Sequence, residues 1–265
     1  MVKCLKDCAR KSVRWERFET VKIDVLGSSV DGLALEQFVE RISTCIEKKE
    51  PCFVITLNPE LLYRAQHERD LLAMINRADL VTPDGVGIVW ACRTAGHPVP
   101  GRVTGIDLMM RLLELAGVKG WRVFFLGSAP GVAEAAAQKA AALFPGLRVA
   151  GTFHGYFPEK EGADVAGMVA GSSPDLLFVA LGSPRQEKWI DENINLLGNV
   201  AAIGVGGSLD VLSGNVRRVP GWLRRLNLEW LGRLFMEPRR WRRMLVLPKF
   251  AVLVLKGKYM KWCNC

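Results

Sequence analysis

Asp84 ends a short apolar run, with Pro83 before it and Gly85 after it. A loop carboxylate in that setting can serve as a general base once it is partly desolvated, or as the N-cap of the helix that starts near Val86. Thr56 and Asn58 close another apolar run. Their side chains can hydrogen-bond a sugar; equally, Thr56 can be an interior strand residue and Asn58 the turn before Pro59. Gln186 and Glu187 follow Gly182-Ser183-Pro184, where they offer either polar contacts to a ligand or a capping box with Ser183. Three turns are built of small residues: Gly127-Ser128, Gly182-Ser183 and Gly206-Gly207-Ser208. Such turns let a phosphate approach backbone amides, and they are also ordinary connections between strand and helix. Arg102, in a Gly/Pro-rich loop, can reach a phosphate or stay in solvent. Tyr156 can stack on a base, whereas His154 beside it reads as a loop residue.

Several motifs are missing. The chain has no GxxxxGK[ST], GxSxG or HExxH. Gly204-Val205-Gly206 begins like a dinucleotide fingerprint, but Leu209 stands where the third glycine belongs. No Asp-x-Asp occurs, so a leaving pyrophosphate would have to be met by Arg, Lys, helix N-termini and backbone amides. The seven cysteines include no CxxC pair and there are three histidines, which argues against a zinc site or a disulfide scaffold and for a reducing compartment. Neither a metal nor a cofactor is expected.

The elements that must position these residues alternate along the chain. Val21 to Val25 reads as an opening strand and Leu33 to Lys48 as a helix. Cys52 to Leu57, Ala78 to Val81, Arg122 to Leu126, Leu147 to Gly151, Leu176 to Leu181 and Val200 to Val205 read as strands, with helical stretches between them. Strands that are apolar throughout are buried on both faces, so the pattern predicts an α/β, Rossmann-like, mostly parallel sheet with helices on both sides. Ligands of such sheets bind beyond the carboxyl ends of the strands, which is where every residue named above falls.

Charge divides the chain. Of 36 Lys and Arg against 27 Asp and Glu, 13 bases and two acids lie from Arg217 onward. The expected organisation is an N-terminal extension at 1–20, an α/β domain at 21–215 and a basic, Trp-rich appendage at 216–265. In the appendage Trp222, Leu223, Leu226, Trp230, Leu231, Leu234 and Phe235 form an apolar stripe beside Arg224, Arg225 and Arg233. Such a helix suits an anionic lipid interface; docking on the body with its arginines in water is the alternative. Motifs for reading nucleic acid are absent, so no nucleic-acid partner is expected. No apolar run reaches membrane-spanning length and the N-terminus lacks an apolar signal segment, which predicts a cytoplasmic protein bound peripherally to the membrane. The apolar appendage also admits a homo-oligomer.

As a set, these residues are similar to the WecG/TagA/CpsF family, glycosyltransferase family 26. The matching stretches are Thr56-Leu57-Asn58-Pro59-Glu60, Ala78 to Gly87, Gly101-Arg102-Val103-Thr104-Gly105, Phe125-Leu126-Gly127 and Gly155-Tyr156-Phe157. To them are added Leu181 to Glu187, Gly204 to Asp210, Leu228-Glu229-Trp230-Leu231 and Glu237-Pro238-Arg239-Arg240. The resemblance implies metal-independent, inverting transfer of N-acetylmannosamine from a UDP-sugar to undecaprenyl-diphosphate-linked N-acetylglucosamine, in wall teichoic acid or related surface-polymer synthesis. It implies Asp84 as the base, with Thr56, Asn58 and Gln186 around the donor sugar and Arg102 near the diphosphate. Gly127, Ser128, Tyr156, Gly182, Gly206 and Asp210 are the remaining expected substrate contacts. Arg233, Arg240 and Arg243 are implied to meet phosphates when the enzyme sits on the membrane. A nucleotide-binding module without turnover, or a transferase for a related donor such as UDP-N-acetylmannosaminuronic acid, are the other readings.

Overall fold

The computed structural model describes residues 22–221, 223, 229–236 and 244–263. The expected extension at 1–20 lies outside the described residues.

The first elements form a hairpin, not the edge of the main sheet. Strands β1 (Lys22–Val25) and β2 (Ser28–Asp31) pair antiparallel. Leu26 and Gly27, with φ of 53° and 81°, make the tight turn whose twist suits a two-residue hairpin. The sequence pattern marks β1 but misses β2, because Gly-Ser-Ser reads as loop. Asp31, fully buried, accepts the Val81 amide at 2.7 Å and the Lys22 ammonium at 2.9 Å, which stitches the hairpin to the main sheet.

The main sheet has six parallel strands: β3 (Cys52–Leu57), β4 (Leu80–Pro83), β5 (Arg122–Gly127), β6 (Arg148–Phe153), β7 (Leu176–Ala180) and β8 (Ala201–Gly204). Their order is β4-β3-β8-β7-β5-β6, and all their pairings are parallel. The strand residues send alternate side chains to two layers. Phe53, Ile55, Leu57, Leu126, Leu177 and Val179 face one core; Cys52, Val54, Phe125, Phe178 and Ile203 face the other. The second layer holds α1 (Leu35–Lys48), α5 (Gly105–Lys119), α6 (Val132–Leu143) and α9 (Ser208–Ser213). Against the first pack α2 (Pro59–Ala65), α3 (Arg69–Arg77), α4 (Val86–Thr94), α7 (Gly162–Gly171) and α8 (Arg185–Leu197). Burial of both faces explains why the strands carry almost no polar residues. The direction of winding switches between β5 and β7, since β5 leads outward to β6 and β7 inward to β8.

Beyond α9 come two more helices, α10 (Glu229–Met236) and α11 (Val246–Cys263). Helix α11 packs on α2 and α4 through Phe250 and Val254, both buried in the first core. Leu245, Val252 and Leu255 remain exposed beside it, so the terminal apolar patch both docks on the body and faces outward. Among the described residues no helix is long and apolar enough to cross a membrane.

Candidate active site

The strand ends of β3, β4, β7 and β8 open onto one cleft of about 610 Å³. Thr56, Asn58, Asp84, Arg102, Gly182, Gln186 and Gly206 all line it.

Asp84 reaches the cleft because the register of β3 and β4 carries on past the strands. Leu57 pairs with Pro83, and the Asp84 amide then donates to the Leu57 carbonyl at 2.9 Å. Asp84 is not the helix cap: α4 is capped by Gly85, at φ 91° and without a side-chain bond. The loop bearing Arg102 is fixed to the same strand end. The Val103 amide donates to the Pro83 carbonyl at 3.0 Å, and the Thr82 hydroxyl donates to the Val103 carbonyl at 3.2 Å. Thr104 then caps α5, giving its hydroxyl proton to Asp107 at 2.6 Å and accepting the Asp107 amide at 3.2 Å. Arg218 binds the other oxygen of Asp107. Burial acts to raise the Asp107 pKa, but the Thr104 hydroxyl, Arg218 and Arg102 outweigh it and hold the carboxyl below its usual range.

Thr56 and Asn58 each have a structural partner as well as a place in the cleft wall. The buried Thr56 hydroxyl donates to the Gly204 carbonyl at 2.8 Å, tying the end of β3 to the end of β8. Asn58 is the N-cap of α2, its oxygen accepting the Leu61 amide at 2.9 Å.

Gln186 does not form the capping box, since α8 starts at Arg185 after Pro184 with no side-chain cap. Its amide instead lies under the turn that follows β8. The oxygen accepts the Gly206 amide at 3.0 Å, and the nitrogen donates to Glu187 at 2.8 Å. A Cβ on Gly204 would sit 2.7 Å from that nitrogen, so glycine is what makes room for it.

Glu187 is fully buried. Burial pushes its carboxyl up to about 7, against the pull of Gln186, its own amide and the Ser183 hydroxyl. The folded protein therefore holds this proton more tightly than the unfolded chain does. Stability is greatest below the unfolded value of about 4.5 and is lost as pH rises to about 7, beyond which the cost levels off on the order of 3 kcal/mol. Glu187→Gln imitates the protonated carboxyl. It is expected to unfold at higher urea than the parent at pH 8, by roughly 2 kcal/mol, with a much smaller gain at pH 5. Equal gains at both pH values would remove ionisation as the cause.

The other expected contacts gather on the neighbouring flank. The Ser128 hydroxyl donates to Asp210 at 3.0 Å, and the Ser128 carbonyl accepts the Gly155 amide at 2.8 Å. Gly127, at φ 128°, passes so close to β7 that a Cβ would meet the Ala180 oxygen at 2.4 Å. Tyr156 projects into solvent, 73% exposed. Arg185 anchors this loop by donating to the Gly155 and Phe157 carbonyls at 2.9 and 2.6 Å. Arg233 belongs to α10 and its side chain, like Arg240 and Arg243, lies outside the described residues. Among the described residues, no three His, Cys, Asp or Glu side chains group as a metal site.

The sequence did not single out the apolar part of the lining: Pro59, Val86, Trp90, Trp230, Met244, Leu247, Phe250 and Ala251. Trp230 and the 245–255 patch stand out in the sequence as apolar, but nothing local says that they share a cleft with Trp90. The lining thus combines polar groups at the strand ends with apolar side chains from the helices.

The sequence profile of the family described as "Glycosyl transferase WecG/TagA/CpsF family" matches residues 23–263. A Bacillus spizizenii relative named N-acetylglucosaminyldiphosphoundecaprenol N-acetyl-beta-D-mannosaminyltransferase is 40% identical over 223 residues, covering 84% of this chain and 86% of its own. A Staphylococcus aureus protein of the same name is 35% identical over 245 residues, covering 92% and 96%. With its parallel sheet, its cleft at the strand ends and this match along nearly the whole chain, the protein belongs to the WecG/TagA/CpsF family and is a glycosyltransferase.

Proposed function

We propose that this enzyme transfers N-acetylmannosamine from UDP-N-acetylmannosamine to undecaprenyl-diphosphate-linked N-acetylglucosamine, with inversion and without a metal, at the cytoplasmic face of the membrane. The product would feed wall teichoic acid or a related surface polymer. The observation that carries this reading is the cleft at the strand ends, whose lining joins Thr56, Asn58, Asp84, Arg102 and Gln186 to apolar side chains of the helices. The names of the relatives give the same acceptor and the same transferred sugar.

Asp84 is the base. It takes the proton of the acceptor hydroxyl as that oxygen attacks the anomeric carbon; the bond from that carbon to the diphosphate oxygen breaks, and UDP departs with the electron pair. Thr56, Asn58 and Gln186 surround the donor sugar. Arg102 and the helix N-termini that follow the Gly182 and Gly206 turns receive the charge of the diphosphate. The lack of Asp-x-Asp supports the metal-free reading. On the flank, Tyr156 stacks on the uracil, while Gly127, Ser128 and Asp210 shape the nucleotide site. Residues 216–265 act as the membrane-targeting appendage, with Arg233, Arg240 and Arg243 meeting phosphates there.

The test is a panel of UDP-sugars offered with one synthetic polyprenyl-diphosphate N-acetylglucosamine. UDP release is expected with UDP-N-acetylmannosamine, only when the acceptor is present, and undiminished by EDTA. Faster release from UDP-N-acetylmannosaminuronic acid would reassign the donor. Binding of UDP with no release from any sugar would leave a nucleotide-binding module in place of the enzyme.

A further inference from the structure

Glu187 is a buried acid that the mechanism above does not use. It sits in the first turn of α8, where an acidic side chain ordinarily faces water. Here it has no exposure at all, and its carboxylate is spent on a neighbouring side chain.

That neighbour is Gln186, whose amide can be placed two ways round in the same space, with nitrogen and oxygen exchanged. The partners at its two ends decide between them. The Gly206 N–H can only donate, so it requires the amide oxygen; the bond is 3.0 Å. The Glu187 Oε1 accepts, whether the carboxyl is ionised or carries its proton on the other oxygen, so it requires the nitrogen; the bond is 2.8 Å. The two demands agree, and the amide is held in one orientation. Gly206 is held in turn, at φ 54°, in a left-handed turn that flexible glycine would not keep unaided. On the other side of the same turn the Thr56 hydroxyl grips the Gly204 carbonyl at 2.8 Å.

We propose that Glu187 is a positioning residue: by orienting the Gln186 amide it fixes the turn after β8 in the shape that meets the leaving diphosphate. The inference rests on the transferase reading of this cleft. Glu187 itself touches neither sugar nor nucleotide. Its cost to stability near neutral pH is consistent with retention for function in place of packing.

Two variants separate this role from a merely structural one. Glu187→Met removes the acceptor while roughly keeping the volume, and Glu187→Gln keeps a carbonyl that can accept from Gln186. With Glu187→Met, kcat is expected to fall about 30-fold while KM for the UDP-sugar changes less than about threefold, because the groups that bind remain and only their alignment is lost. Glu187→Gln is expected to restore kcat to within about threefold of the parent. Hydrogen exchange at the Gly206 amide, read by NMR, is expected to quicken at least about tenfold in Glu187→Met and to stay at the parent rate in Glu187→Gln.

Parent-like kcat and exchange in Glu187→Met would overturn the proposal. So would a Glu187→Gln variant that folds but loses turnover and Gly206 protection, since the charge would then matter and not the acceptor. That second outcome decides the question even if Glu187→Met does not fold. Should the parent transfer no sugar, the transferase reading falls, while the exchange rates at Gly206 still decide whether Glu187 holds the turn.

Discussion

Replacing Asp84 by Asn is expected to lower kcat by about a thousandfold while UDP binds with nearly its original affinity. A positioned general base contributes about 10² to 10⁴ to a proton transfer of this kind. Asparagine keeps the size of the side chain and its place after β4, so what is lost is the proton acceptor. The backbone argues for that selectivity. The Asp84 amide is held by the Leu57 carbonyl and Gly85 is the N-cap of α4, so both of these backbone anchors are kept in the variant. Steady-state kinetics against the lipid-linked acceptor, with calorimetric UDP titration as control, measure both quantities. A variant with full turnover would remove Asp84 as the base.

Ending the chain after Gly221 is expected to weaken binding to anionic vesicles by more than about a hundredfold. Residues 222–265 carry eleven Lys and Arg against two Asp and Glu, leaving a body with as many acids as bases. Each basic side chain near an anionic bilayer contributes on the order of 1 kcal/mol, so losing even a few exceeds the factor stated. The truncation also strips Trp230, Met244, Leu247, Phe250 and Ala251 from the cleft, and transfer to a lipid-linked acceptor should fall with it. A gentler variant keeps the packed face of α11 and changes only exposed residues on it and just before it, Leu245→Glu, Val252→Glu and Leu255→Glu together. It should fold and still partition less to vesicles. Sedimentation of both proteins with vesicles of phosphatidylglycerol checks this, and undiminished sedimentation of the truncated chain ends the anchoring claim.

The fold was readable because a doubly covered parallel sheet leaves a plain record, in which a run such as Leu176 to Leu181 has no polar residue and a glycine turn follows. Thr56, Asn58, Asp84 and Gln186 were readable for a related reason, being polar residues placed where the apolar runs stop. Their local partners were harder to foresee. Asn58 does cap a helix, but Asp84 leaves that task to Gly85, and the choice depends on a φ of 91° that only glycine adopts readily. For Gln186 a capping box with Ser183 was one of two possibilities, yet its amide pairs with Gly206 at another strand end. Helical spacing offers one overlooked hint. Glu187 shares a stripe with Ile190 and Ile194, both buried, which marks an acid turned inward. The apolar lining at Trp90 and Phe250 had no such hint, since it arises from contact between helices far apart in the chain.

Those helices come close at Gly87. A Cβ there would fall 2.6 Å from the Pro59 ring, with the Phe250 ring edge 3.7 Å away. A bare backbone, a proline and the rim of an aromatic thus touch where α2, α4 and α11 cross. Gly87 has no side chain and the Pro59 ring has little freedom to turn, so any larger residue at position 87 is expected to push α4 away from α2.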